Sequence, residues 1–243
     1  MIKAIIAYDG SNYAGWQKQT NALGIQEVFE RALQKIHGEF CEVVASGRTD
    51  AKVHARGQVI HFQERPDIHP TQYKRALNGL LPLDIRVQSC VLVDHDFHAR
   101  FSATGKRYDY ICTLNKDDPF SFRYKTVLMQ PVDLEKMKKG ALLLKGTHDF
   151  TSYSSCKIDP RKPRTKTIHS IEIQEKDGDI RFSFVGTGFL RYQVRMMVGT
   201  LLALGQSKIE VEDVQKILDR KDKHACRFNA PPQGLYLMEV YYG

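Results

Sequence analysis

The chain has 243 residues, 42% of them apolar, which is enough for one large domain or for two of about 100 to 140 residues each. No stretch approaches the roughly 20 apolar residues of a membrane span, and the amino terminus shows no signal-peptide pattern, so we expect a cytoplasmic protein without a membrane partner. The five cysteines are scattered and form no C-x-x-C pair, which argues against a disulfide framework and a zinc site. A net charge of +8 favours a polyanionic partner, although many soluble proteins are mildly basic.

The first half of the chain is predicted to interleave strands and helices. Residues 2–8 form an apolar run typical of a buried strand, and residues 24–37 place apolar side chains at helical spacing. Pro70 begins a short second helix. Further strands are expected at three places: 40–46, 57–63 and 85–93.

The second half repeats a similar inventory and ends in LYLMEVYY, an aromatic and β-branched run typical of a strand. Strands are expected at 106–114, 167–175 and 180–185. Helices are expected at 133–145, 189–204 and 210–220. The interleaved elements indicate an α+β class, and we place a boundary near residue 104 that divides the chain into half-domains 1–104 and 105–243.

A polar loop, SGRTDAKVHARG at residues 46–57, separates two apolar strands, and reactive groups often lie on loops held by a rigid scaffold. Asp50 lies among Arg48, Lys52 and Arg56, and neighbouring cations lower a carboxylate pKa by about 1 to 3 units. Such an anion could act as a nucleophile or a base. The alternative is that Asp50 only caps a turn or pairs with Arg48.

Two further clusters combine cations with aromatic rings or glycines. The first, FHARFSATGKRYDY at residues 97–110, suits nucleic acid, since rings stack on unpaired bases and arginines hold phosphates. An ordinary edge strand with a solvated cationic face is the alternative. The second, GTGFLRYQVRMMVG at residues 186–199, places Arg191 and Arg195 near a predicted helix start, where cations gain nothing from the macrodipole. That placement suggests an anionic partner, although solvated arginines would look the same.

Other chemistries find less support in the sequence. The nine histidines lack a compact ligand set with recognisable spacing, which argues against a metal site. Neither G-x-x-x-x-G-K-[ST] nor G-x-G-x-x-G occurs, so no nucleotide cofactor is expected. There is no G-x-S-x-G elbow to indicate a serine hydrolase.

Taken together, the motifs resemble the tRNA pseudouridine synthase A family along nearly the whole chain. The matching stretches are Tyr8-Asp9-Gly10, Gly15-Trp16-Gln17, Gln26-Glu27, Gly47-Arg48-Thr49-Asp50-Ala51, FHARFSATGKRYDY, Gly146-Thr147-His148-Asp149-Phe150, GFLRYQVRMMVG and Ala230-Pro231-Pro232-Gln233-Gly234-Leu235-Tyr236-Leu237. The resemblance implies an isomerase that converts uridine to pseudouridine and needs no cofactor. It also implies a mixed, mostly antiparallel central sheet built from two related half-domains, with helices on one side and a basic cleft between the halves.

The resemblance implies a role for each matching site residue. Asp50 is the expected nucleophile, Arg48 enters the space left by the flipped base, Tyr108 stacks on the target uracil, and Arg195 is the ion-pair partner of Asp50. Tyr108 and Tyr110 share one side of a strand, so one or both could instead belong to the core. The expected partners are a tRNA anticodon stem-loop, modified at positions 38 to 40, and a second copy of the chain.

Phosphate contacts are expected from the cations next to Tyr108 and from a basic tract stiffened by Pro160 and Pro163, for which a solvated charge run is the alternative. These candidates are Lys106, Arg107, Lys157, Arg161, Lys162, Arg164 and Lys166.

The sequence departs from the family pattern at two places. Lys52 stands where the family usually has glycine, and HACRFN replaces the small and polar residues usual ahead of the APPQG motif. These differences leave open a specialised paralogue with a shifted substrate range, for example the same chemistry on another RNA such as ribosomal RNA. A catalytically silent RNA-binding or RNA-folding module is the other alternative, and the intact set of Arg48, Asp50, Tyr108 and Arg195 counts against it.

Overall fold

The computed structural model describes residues 1–157, 161 and 163–243. The strands are β1 Ile2–Tyr8, β2 Val44–Ala45, β3 His54–Phe62, β4 Ile85–Leu92, β5 Ala103–Thr113, β6 Thr126–Val127, β7 Gly146–Asp149, β8 Thr165–Lys176, β9 Asp179–Gly186 and β10 Leu235–Tyr242. The helices are α1 Ile25–His37, α2 Pro70–Leu80, α3 Leu134–Leu144, α4 Gln193–Gly205 and α5 Val211–Asp219.

The chain folds into two compact units. The first comprises residues 1–104 together with 236–243, and the second comprises residues 105–235. The division made from the sequence assigns residues 236–243 to the second half. In the structure they lie in the first unit because β10 pairs with β3.

The sheet of the first unit is mixed. β1 lies between β3 and β4 and pairs antiparallel with both. β2 adds a short antiparallel pairing to β3, whereas β10 runs parallel to β3, with Tyr236 opposite His54. Alternate residues of β1 are buried, as expected of a strand with two unlike faces.

Local sequence signals explain where the helices of this unit begin and end. Pro70 opens α2, and the side chains of His69 and Gln72 each bond a backbone group of the other to close a capping box. α1 ends at Gly38, whose φ of 80° is a left-handed conformation that favours glycine. α2 packs on β4, so the core of the unit lies between sheet and helices.

The second unit has its own sheet and three helices. β5, β9, β8 and β7 pair antiparallel in that order, and β6 pairs parallel with the end of β5. α3 packs on α4, α5 and β8. Nearly every residue of α4 is buried, which places this helix in the core of the unit.

The predicted α+β class is confirmed, with mostly antiparallel pairing in each unit. Several element bounds were wrong. The strand expected at 40–46 is only Val44–Ala45, and β3 begins at His54 rather than at 57. The helix expected from residue 189 begins at Gln193, since Tyr192 has a left-handed backbone. Within the described residues, none of the helices has the length and apolar character to cross a bilayer.

Candidate active site

The loop that contains Asp50 is fixed through its backbone. The Thr49 carbonyl accepts a hydrogen bond from the Trp16 N–H at 3.1 Å, and the Asp50 carbonyl accepts one from the Val53 N–H at 3.2 Å. The Lys52 N–H donates to the Tyr13 carbonyl at 3.2 Å. The loop is therefore held to the segment that follows β1 as well as to itself.

A buried polar network lies under the same loop. The hydroxyls of Tyr8 and Thr49 are hydrogen-bonded at 2.8 Å, and the Gln58 amide donates to the Gly47 carbonyl at 2.8 Å. Ser46 donates through its hydroxyl to the Gln58 Oε1 at 2.7 Å. Burial raises the pKa of Tyr8 to about 12, so its hydroxyl stays protonated at neutral pH. These bonds fix the backbone directly before Asp50.

Gly15 allows the segment after β1 to approach this loop closely. A Cβ at this position would lie 2.7 Å from the Thr49 carbonyl oxygen and 3.0 Å from the Asp50 carbonyl carbon. Its φ of 98° is a second reason for glycine. Any larger residue at this position would displace the backbone of Asp50.

The polar side chains of the loop differ in exposure. Asp50 is half-buried, whereas Arg48 and Lys52 are exposed. Lys52 has a φ of 65°, a conformation that residues other than glycine adopt at a cost. Arg56, expected in the loop, belongs to β3, and its guanidinium lies 5.9 Å from the centre of the Tyr236 ring.

Tyr108 lies in the middle of β5, with only 9% of its surface exposed. Its ring meets the Phe189 ring edge to face, with centroids 5.3 Å apart and planes at 82°. Phe189 belongs to the glycine-bearing turn before α4. Tyr110 is fully buried and bonds the Pro231 carbonyl at 2.7 Å, so it belongs to the core.

The two cations next to Tyr108 have different environments. Arg107 donates two hydrogen bonds of 2.9 Å to Asp109, whose side chain is only 2% exposed. A bidentate pair of this kind fixes the guanidinium and offsets its charge. Lys106 is half-buried on the same strand.

Arg195 lies in the first turn of α4 and is hydrogen-bonded to the first residue of the APPQG motif. Its Nε donates to the Ala230 carbonyl at 2.8 Å, and its own carbonyl accepts from the Ala230 N–H at 2.9 Å. Its guanidinium also lies 4.9 Å from the centre of the Tyr192 ring. Arg191 precedes the helix, whereas the sequence predicted it in the first turn of a helix beginning near residue 189.

The basic tract is described only in part. Lys157 and Arg161 are exposed, and the half-buried Arg164 donates to the Ser154 hydroxyl at 3.1 Å. Lys166 lies in β8, opposite His148 of β7. The expectations for Lys162 and Pro160 lie outside the described residues.

The predicted site residues are therefore divided between the units. Arg48 and Asp50 share one loop of the first unit. Tyr108, Arg195 and the cations proposed to bind phosphate belong to the second unit. Within the described part of the chain, no group of three or more His, Cys, Asp or Glu side chains is placed to hold a metal ion.

Known proteins match this chain over nearly its whole length. The family described as tRNA pseudouridine synthase matches residues 4–102 and 141–243. The tRNA pseudouridine synthase A of Exiguobacterium sibiricum is 42% identical over 241 residues, covering 99% of this chain and 96% of its own length. The tRNA pseudouridine synthase A 1 of Bacillus cereus strain ATCC 14579 is 42% identical over 243 residues, covering 99% and 98%.

The chain belongs to the tRNA pseudouridine synthase family. The resemblance drawn from the motifs is confirmed, and the protein is an isomerase of this family. Among solved structures, a Cbf5-Nop10-Gar1 complex matches with a TM-score of 0.37 and 14% identity, covering 82% of this chain and 54% of that chain.

The structure gives a supporting role to three residues that the sequence analysis did not include among the site residues. Tyr8 of the YDG motif and Gln58 of β3 form the network that supports the loop. Ala230 of the APPQG motif anchors Arg195. The sequence contains no distinct signal for Gln58, because Arg56 and His61 also interrupt the apolar residues of this strand.

Proposed function

We propose that this protein converts uridine to pseudouridine in the anticodon stem-loop of tRNA, at positions 38 to 40, with Asp50 as its nucleophile. The observation that supports the nucleophile assignment is a half-buried carboxylate on a loop fixed by buried hydrogen bonds immediately before it. A catalytic group must be held close to its productive geometry, and such a network provides this.

The reaction needs a nucleophile but no redox agent. The bond between uracil N1 and ribose C1′ breaks, a bond between C5 and C1′ forms, the C5 proton leaves and N1 gains a proton. Nothing else is consumed. A carboxylate can attack either C1′ or C6 to start this exchange, and both routes form a covalent intermediate with Asp50.

The other site residues act around the reacting base. A uridine in a stem-loop must leave its stack, at a cost of a few kcal/mol. We assign Tyr108 to stack on the extruded uracil and Arg48 to fill the space that the base leaves. Stacking on an aromatic ring contributes about 1 to 3 kcal/mol, enough to offset much of that cost. We assign Arg195 as the cation that balances the charge of the nucleophile.

The packing of these residues agrees with such roles. Tyr108 is held edge-on by Phe189, which limits the rotation of its ring. Both the side chain and the backbone carbonyl of Arg195 are hydrogen-bonded to Ala230. Arg48 is exposed and long enough to enter a vacated stack. Phosphate contacts would come from Lys106, Lys157, Arg161 and Arg164. Arg107 would contribute less to phosphate binding, because its guanidinium is already bonded to Asp109.

Substitution of Asp50 tests the proposal directly. Tritium at uracil C5 is released only when pseudouridine forms, so its release from labelled tRNA measures the reaction. We expect Asp50→Asn and Asp50→Ala to abolish release while tRNA binding persists, because the amide and the methyl group are not nucleophiles. Measurable release by the purified Asn variant would remove Asp50 from this role.

Mapping the product separates the proposal from its alternatives. Pseudouridines should disappear from tRNA positions 38 to 40 in cells that lack the protein and should return with the wild-type chain. Loss confined to ribosomal RNA would indicate another substrate, and no loss in any RNA would indicate a silent binding module. A cytoplasmic location and a homodimer complete the proposal, and light scattering of the purified protein tests the dimer.

A further inference from the structure

An exposed aromatic ring lies in the segment between β4 and β5, apart from the loop of Asp50. The side chain of Phe101 is 76% exposed, although phenylalanine is among the residue types most often buried. Arg100 and Ser102 on either side of it are exposed as well. An apolar ring displayed in water beside a cation is a candidate binding feature.

The ring is held in place by a small hydrogen-bonded turn. His98 accepts hydrogen bonds through Nδ1 from the backbone N–H groups of Arg100 and Phe101, at 3.1 and 3.2 Å. The backbone N–H of His98 donates to the Ser102 hydroxyl at 3.0 Å, and the backbone N–H of Ser102 donates to the His98 carbonyl at 2.9 Å. The imidazole itself lies 4.2 Å from the Phe101 ring, with planes at 35°. Phe101 is thus exposed on a rigid turn.

Buried groups anchor this turn to the sheet of the first unit. The Ala99 N–H donates to the Nδ1 of His61, a buried residue of β3, at 3.1 Å. The Ala99 carbonyl accepts from the Tyr242 hydroxyl at 2.7 Å. Burial and then the neighbouring His98 lower the pKa of His61 to about 4, so its Nδ1 remains a neutral acceptor. The backbone that carries the ring is therefore fixed before any ligand arrives.

The charges around the ring suit one kind of ligand. The Arg100 guanidinium lies 5.6 Å from the centre of the Phe101 ring. A ring paired with a guanidinium is the combination that binds an unpaired base and its phosphate. Asp94 and Asp96 line an adjoining depression with Ser102, and their carboxylates would repel a phosphate. The RNA backbone is therefore expected on the side of Arg100.

We propose that Phe101 is a stacking platform for an unpaired nucleotide of the RNA substrate, with Arg100 holding the adjacent phosphate. The platform is a second base-binding position, additional to the one assigned to Tyr108, and it rests on the proposed function in that the ligand is tRNA. Its contribution is to affinity and register, because a base stacked at this position fixes where the rest of the stem-loop lies.

Removal of the aromatic face tests the platform. In the full-length protein we expect Phe101→Leu to raise the Kd for tRNA about five- to 150-fold, the range that loss of one stacked base produces. Phe120→Leu is the matched control, since Phe120 is 82% exposed and should leave the Kd unchanged. Circular dichroism melting verifies that both variants are folded. An unchanged Kd in a folded Phe101→Leu protein would overturn the proposal.

A fluorescent ring gives a second, direct measurement. The chain has one tryptophan, the buried Trp16, so Phe101→Trp adds a single exposed fluorophore. Stacking of a base on the indole should quench its emission when tRNA is added, whereas Phe120→Trp should show no such change. Emission that stays constant while tRNA binds would refute the platform. So would a blue shift with rising protein concentration in the absence of RNA, because a second chain would then cover the ring.

The two proposals fail separately. Quenching of Phe101→Trp by tRNA, in a protein that forms no pseudouridine, would leave the platform standing and reject the proposed activity. Pseudouridine formation without quenching would reject the platform alone.

Discussion

At the scale of single residues, the hydroxyl of Tyr8 connects strand β1 to the loop of Asp50. Tyr8→Phe removes the bond to the Thr49 hydroxyl and leaves that buried group unsatisfied. We expect the free energy of unfolding to fall by about 1 to 2 kcal/mol. We also expect kcat to fall about 10- to 100-fold with little change in KM, because Asp50, the proposed nucleophile, would be displaced while RNA contacts remain. Tritium-release kinetics measure both constants.

Tyr73→Phe is the matched control for that substitution. Tyr73 is also buried in the first unit, and its hydroxyl accepts a hydrogen bond from the Arg65 N–H at 2.8 Å. It should lose comparable stability without the loss in kcat. Equal kcat values for the two variants would contradict a positioning role for Tyr8.

The backbone of Lys52 is a second single-residue feature. At a φ of 65° a lysine is disfavoured by roughly 1 kcal/mol relative to glycine. We expect Lys52→Gly to raise the free energy of unfolding by up to about 1 kcal/mol, as measured by urea titration. Ala51→Gly in the same loop should lower it, since there glycine only adds freedom to the unfolded chain. A loss of stability in Lys52→Gly would contradict this explanation.

The residues of the loop were only partly predictable. The cations around Asp50 and the unusual lysine at position 52 are visible in the sequence, and the resemblance supplied their meaning. The network of Tyr8, Thr49 and Gln58 was not predictable, because it depends on β1 and β3 lying side by side. Sequence spacing alone contains no information about that pairing.

At the scale of elements, α4 depends on close backbone contact at Gly199. A Cβ there would lie 2.9 Å from the Asn229 nitrogen and 3.0 Å from the Ala230 nitrogen. We expect Gly199→Ala to destabilise the protein by about 1 to 2 kcal/mol, since overpacking outweighs the gain in helix propensity. It should also lower kcat, because Ala230 anchors Arg195.

Gly79 provides the control for that substitution. It lies in α2 with open space where a Cβ would stand, so Gly79→Ala should raise the free energy of unfolding by about 0.5 to 1 kcal/mol. Urea titrations of the two variants should shift in opposite directions. A change of the same sign in the free energy of unfolding of both variants would mean that the close contact at Gly199 does not affect stability.

Periodicity predicted the helices better than the strands. The apolar spacing of α1 and α5 defined their lengths within about two residues. The start of α4 was missed because Phe189 and Leu190 continue the apolar pattern, although Tyr192 breaks the helix. β2 and β6 have two residues each, too few for any pattern to develop.

At the scale of the whole molecule, buried phenols couple stability to alkaline pH. Burial raises the pKa of tyrosines in both units, to about 12 for Tyr8 and also upward for Tyr13, Tyr110, Tyr153 and Tyr242. Unfolded phenols titrate near pH 10, so above that pH the unfolded chain releases protons that the folded chain retains. Stability should be complete below about pH 10 and should fall as the pH rises towards 12.

Urea titrations at about pH 8 and about pH 11 measure this effect, and phenolate absorbance shows when the tyrosines ionise. Exposed tyrosines such as Tyr124 should ionise first, and the phenolate signal of the buried tyrosines should appear together with the loss of structure. Ionisation of all eleven tyrosines while the fold persists would contradict the coupling.

The topology of the first unit exceeded what the sequence could predict. LYLMEVYY was recognised as a strand, but its partner lies about 180 positions earlier in the chain, and the pairing is parallel. Strand propensity identifies an element without identifying its neighbour. The division of the chain at residue 104 therefore omitted the return of the last eight residues.

The return of β10 to β3 has a consequence for biosynthesis. Because β3 directly follows the loop of Asp50, the edge that β3 offers to β10 stays open while the ribosome makes the whole second unit. An open strand edge invites pairing with other chains. We therefore expect the nascent protein to remain prone to aggregation until β10 is translated, and a message truncated just before β10 to yield a product with an uncovered edge on β3.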